Sequence, residues 1–191
     1  MEKILLTFLA AGSLISAEAS LFQYGLTFAP EAVGATGSGT GTVIYNDVTH
    51  SLQMSANFSG LSGNVTVTHF HGPTASPGVG TSGVAVGNPS LPSFPTGGTS
   101  GSYIQTLDLS LASVYGNTYL NTTHAGNIPA AEAAFFNAMN QGRIYWNIHS
   151  SAFGGGEIRG FLNAVPEPSS LALLGLGAAA IAVRSRKAVR K

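Results

Sequence analysis

Alternation is the property that most narrows the folds open to this chain. From His50 to Gly60 it reads HSLQMSANFSG, with Leu52, Met54, Ala56 and Phe58 apolar and mostly polar residues between them. That period of two places one face of an extended strand against a core and the other in water. SYIQTLDLS (102–110) alternates again, and LFQYGLTF (21–28) and the end of GATGSGTGTVIYN (about 41–46) also form strands, with Asn46-Asp47 as a turn. A further strand begins at Asn64, and SVYGNTYLNTTHAGN (113–127) reads as another extended piece. Gly, Pro, Ser and Thr are dense from Gly72 to Gly101, which predicts loop with at most a short strand near 83–86. Near the end, RIYWNIHSSAFGGGEIRGFLNA gives two strands joined by a glycine turn at 154–156.

One segment breaks the pattern. NIPAAEAAFFNAMNQG (127–142) offers Asn127 as N-cap, Pro129 and Glu132 in the first turn, and Gly142 as the stop, so a short helix is expected near 130–141. Many short strands and one helix predict a mainly β chain, an antiparallel β-sandwich of Greek-key, superoxide-dismutase-like or immunoglobulin-like type.

The ends have a different composition. Residues 1–19 carry Lys3, an apolar run from Ile4 to Ile15, and Ala17 and Ala19 at an A-x-A position before Ser20, the pattern of a secretory signal peptide. Residues 165–191 hold Pro166-Glu167-Pro168, an apolar stretch from Leu171 to Val183, and a tail in which Arg184, Arg186, Lys187, Arg190 and Lys191 are five of the eight Lys and Arg residues. The stretch is short against the ~20 residues of a stable transmembrane helix. The terminal cations favour a cytoplasmic C-terminus, so a transient stop in the inner membrane during export is expected. These three features in this order resemble the PEP-CTERM sorting signal of Gram-negative bacteria. The resemblance implies the export machinery and an exosortase-like processing enzyme as partners, and delivery to the cell surface or beyond.

Between the ends, residues 20–164 form the expected single domain. It has only Arg143 and Arg159 against Glu31, Asp47, Asp108, Glu132 and Glu157, a net charge of −3, and no lysine. Nothing there neutralises phosphates, which excludes a nucleic-acid partner. The chain has no cysteine, so disulfides, thiolate metal sites and cysteine nucleophiles are excluded. No Gly-x-Ser-x-Gly elbow or close pair of catalytic carboxylates occurs, and Gly154–Gly156 lacks the Lys-Ser/Thr and following helix of a phosphate loop. The composition therefore points to a non-enzymatic protein.

Two stretches, HFHGPTASPGVG (69–80) and IYWNIHSSAFGGGEIRGFL (144–162), together resemble the CHRD domain, first described as a repeat in chordin and found singly in bacterial exported proteins. The resemblance runs over about residues 22–163 and rests on His69, His71, Gly72 and Pro73, then Asn147, His149, Gly156, Glu157, Arg159 and Gly160. The sorting signals, the polar surface and the missing catalytic motifs point to an exported structural or binding component of the cell surface or extracellular matrix, with polysaccharide or a matrix protein as partner. Chordin's growth factors do not carry over to a bacterial copy.

In a strand, His69 and His71 share a face with Cα atoms about 6.6 Å apart. Asn147 and His149 likewise share one, while Trp146 and Ile148 take the core side. If the two strands meet, His69, His71 and His149 form a three-imidazole patch able to hold copper or zinc, with His50 and His124 as further candidate ligands. The pattern also resembles, more distantly, copper/zinc superoxide dismutase, although that family's bridging histidine and zinc ligands have no match here. The competing reading has the imidazoles donating hydrogen bonds to carbonyls and bracing a sheet edge. Glu157 is expected to pair with Arg159 or Arg143, the alternative being a general base beside a metal. Gly72-Pro73 terminates a strand. Tyr103, Tyr115 and Tyr119 are the aromatics that an adhesin-like glycan binder would expose.

Overall fold

In a computed structural model, which describes residues 20–166, the chain forms one curled antiparallel sheet folded over on itself. The strands are β1 (Leu21–Pro30), β2 (Ser38–Asn46), β3 (Ser51–Ser59), β4 (Val65–His71), β5 (Val84–Val86), β6 (Gly101–Asp108), β7 (Tyr145–Ser150), β8 (Ile158–Phe161) and β9 (Asn163–Ala164), with one α-helix, α1 (Ile128–Asn140). They run in the order β5-β4-β7-β8-β1-β2-β3-β6, and β9 pairs with β1. The segment expected to be a signal peptide and the apolar and basic parts of the C-terminal segment, with Glu167, Pro168, Arg184 and Arg186, lie outside the described residues. Pro166 is described and exposed. Among the described residues no helix is long and apolar enough to cross a membrane.

The fold-over happens within β1. Its residues Leu21 to Phe28 pair with β2, whereas Ala29 and Pro30 pair with Arg159 and Ile158 of β8. One half therefore holds β9, β1, β2, β3 and β6, and the other holds β5, β4, β7 and β8 with the tip of β1. At the crossing, Gly160 lies so close to β1 that a Cβ would press on the Thr27 carbonyl and Leu26 side chain. Glycine is needed there for backbone approach, not for flexibility.

The core fills the space between the halves. The expected alternation holds in β3, where Leu52, Met54, Ala56 and Phe58 are buried. Trp146 of β7 bridges the halves: its ring lies 4.9 Å from Phe70 on its own side and 5.5 and 6.1 Å from Phe28 and Tyr103 on the other. Its indole N–H donates to Thr68 Oγ1 at 2.8 Å, so the fully buried ring keeps a hydrogen-bond partner. Helix α1 closes one end, with Phe135 against Phe70 and Phe136 against Phe22 and Tyr45. Asn127 caps it by accepting from the Ala130 N–H at 3.0 Å, and the chain leaves it through Gly142 at φ +64°. Glu132 sits beyond the first turn, buried, where its carboxylate accepts from Tyr45 Oη at 2.8 Å.

Residues 113–127 are extended at Tyr115, which bridges to Val86, but do not form a strand. They form the end of a 3₁₀ turn (Ala112–Val114) and a wide helical turn (Thr118–Thr123). Tyr115 and Tyr119, four apart, are both buried and stack at 6.1 Å, and Asn121 donates to Asn117 at 2.7 Å. Asn117 and Asn121 are helical neighbours, whereas Tyr115 is extended.

Candidate metal centre

The β4–β7 register assembles the site. His71 pairs with Tyr145, and His69 pairs with Asn147, which puts His149 two residues further along the same face of β7. On the opposite face of these strands lie Phe70, Trp146 and Ile148, which belong to the core. Every residue of β7 is buried, so its outer face is covered as completely as its inner one. The cover comes from the 72–101 loop and the 151–157 turn, and both contribute backbone carbonyls to the histidines.

Each imidazole is gripped on one nitrogen. His69 Nε2 lies 2.7 Å from the Pro89 carbonyl, His71 Nδ1 2.9 Å from that of Ser82, and His149 Nδ1 2.8 Å from that of Gly154. A carbonyl can only accept, so each of these nitrogens carries the proton, and a neutral ring then holds its lone pair on the other one. The three remaining nitrogens are His69 Nδ1, His71 Nε2 and His149 Nε2, and one ring nitrogen from each residue lies within 4.8 Å of the others. His69 Nδ1 and His149 Nε2 are 3.2 Å apart, and His71 Nε2 is buried without any partner.

His69 Nδ1 and His149 Nε2, 3.2 Å apart, can share either a proton or a metal ion. Burial, together with the charge of neighbouring imidazoles, lowers the His69 pKa and pushes that of His71 down to about 4 despite the carbonyls that favour the charged forms. A metal ion is compatible with neutral rings. With metal–nitrogen bonds of about 2.0–2.1 Å, a tetrahedral site has donor–donor edges of about 3.3 Å, and imidazoles whose other N–H donates to a carbonyl are the usual outer arrangement of metal-ligating histidines.

The two readings of the histidines thus coincide: the carbonyl bonds that would brace a sheet edge also aim the free nitrogens at one point. The additional candidates are not brought there. His50, in the β2–β3 turn, lies 3.0 Å from both carboxylate oxygens of Glu132, and His124 packs edge-on against Tyr119 at 4.7 Å. Glu157 does not pair with either arginine. Its Oε1 accepts the Ser62 N–H, while Arg143 donates to the Thr74 carbonyl and Gln141. Arg159 pairs instead with Glu31 at 3.4 Å. Tyr103, Tyr115 and Tyr119 are 4%, 2% and 5% exposed, so they offer no row of rings to a glycan.

The sequence reading missed Glu31, Ser82 and Pro89. Glu31 had one signal, being among only five carboxylates in the span from Ser20 to Val165. Ser82 and Pro89 act through backbone carbonyls and carry none.

An antiparallel sandwich with buried histidines on the outer face of one half defines the class. Comparison with known families agrees: the model described as the CHRD domain matches residues 22–162, and the chain belongs to that family. A second model, the PEP-CTERM protein-sorting motif, matches residues 164–187. That motif implies export to the cell envelope or surface in Gram-negative bacteria and processing by exosortase-like machinery. No curated protein and no solved structure matches the chain.

Proposed function

We propose that this protein is a non-enzymatic component of the cell surface or extracellular matrix whose CHRD domain holds a copper or zinc ion through His69, His71 and His149. The observation that carries the reading is the convergence of three carbonyl-anchored imidazoles on one point, with two free nitrogens 3.2 Å apart. Three neutral nitrogen donors suit copper and zinc and disfavour calcium and magnesium, which take oxygen ligands. The C-terminal apolar stretch would hold the chain transiently in the inner membrane before processing. At the surface the domain would meet polysaccharide or matrix protein.

Metal content by mass spectrometry on the purified protein tests the metal half of this proposal. Near-stoichiometric copper or zinc, absent from the His69→Ala/His71→Ala variant, is expected. Metal-free protein that also fails to take up added Cu(II) or Zn(II) would leave the histidines as scaffold alone.

A further inference from the structure

Three imidazoles leave a fourth side to the site, and Asn147 stands beside it. It sits directly across from His69 and two residues before His149 on the same strand face. Asn147 is 1% exposed, and its Oδ1 is buried with no hydrogen-bond partner. A buried orphan acceptor in the same cluster as the orphaned His71 Nε2 calls for a ligand.

The orientation of the amide is set from behind. Asn147 Nδ2 is 3.3 Å from Glu31 Oε2, and a carboxylate can only accept, so the amide nitrogen faces Glu31 and the oxygen does not. Glu31 is held by Arg159 Nη1 at 3.4 Å. Arg159 in turn donates to the Gly80 carbonyl at 2.8 Å and lies over the Tyr145 ring, which stacks on His71. Gly156 completes the backing. Its φ is +124°, and a Cβ there would overlap Glu31 Oε2 and the Asn147 amide, so no side chain can occupy that corner while the relay is in place.

Resting on the metal reading, we infer that Asn147 Oδ1 is the fourth donor and closes the coordination sphere. The ion is then a cross-link and not a Lewis acid, because structural sites are closed by protein ligands whereas catalytic sites keep a position for water or substrate. It ties β4 to β7 and, through the carbonyls of Ser82, Pro89 and Gly154, fixes the long loop and the glycine turn to the same point. A chain without cysteine thereby gains a covalent-like staple. Glu31 and Arg159 are positioning residues that act through Asn147.

The test uses the full chain loaded with Co(II), whose visible bands report coordination, and azide as the probe of an open position. Wild-type bands are expected to stay unchanged on azide addition. Asn147→Ala should bind Co(II) roughly tenfold or more weakly in chelator competition and should acquire an azide response. Glu31→Gln, which still accepts from the amide, should behave as wild type, whereas Glu31→Ala should fall between. A wild-type protein that responds to azide, or an Asn147→Ala variant with wild-type affinity, overturns the inference. The wild-type azide result decides even if Asn147→Ala does not fold. Failure of the wild type to bind Co(II), Zn(II) or Cu(II) at all would instead remove the metal reading beneath it.

Discussion

The two halves of the sheet obey different rules. In the β1-β2-β3-β6 half, buried and exposed residues largely alternate along the strands, and the outward set is mostly Ser, Thr, Asn and Gln, with Leu21 52% and Ile104 78% exposed among them. In the β4-β7-β8 half, β7 is buried on both faces and its outer face carries His149, Asn147 and Tyr145 beneath loops. One half spends its polar residues on water. The other keeps them out of water, which is expensive unless each is matched by a partner or a ligand, and its chemistry is concentrated there.

The contrast can be broken most forcefully where the halves meet. Trp146→Ala removes the side chain that touches both, and a loss of about 3–5 kcal/mol is expected in urea unfolding. A loss under about 1 kcal/mol would mean that the halves do not share one core. A smaller, graded effect should separate them by pH. The His71 pKa is lowered from 6.5 to about 4 in the folded domain, chiefly by burial. As pH falls through 6.5 the unfolded chain takes up a proton that the folded one refuses, so stability of the metal-free protein is present above about 6.5 and is lost toward 4. Thermal melts across that window should show the slope, and His71→Ala should flatten it. An unchanged slope in the variant would assign the acid sensitivity elsewhere. The smallest effect belongs to the solvated half. Ile104→Thr should shift stability by no more than about 0.5 kcal/mol, and a larger loss would show that this face is covered as the other one is.

The same difference explains how much could be read from residues alone. The strand from Ser51 to Ser59 was legible because one wet face produces alternation. The His69, His71 and His149 patch was legible because strand parity fixes which side chains share a face, and only the β4–β7 pairing had to be supplied. The covering of β7's outer face was not, since loop carbonyls have no side-chain signature. The turn at Thr118–Thr123 was misread as extended because Thr and Tyr favour strands locally, whereas Tyr119 and Leu120 are buried from a helical turn. Glu157 was assigned to an arginine by charge alone, but the Ser62 N–H holds it and Glu31 takes its place beside Arg159. Such choices depend on which strands become neighbours, and no local pattern encodes that.

The most direct test of the metal centre is anomalous diffraction at the copper and zinc edges from crystals of protein exposed to both ions. A single strong peak bounded by His69 Nδ1, His71 Nε2 and His149 Nε2 is the expected result. No peak there, with the three rings still held by the carbonyls of Pro89, Ser82 and Gly154, would contradict the account and reduce the cluster to a buried brace.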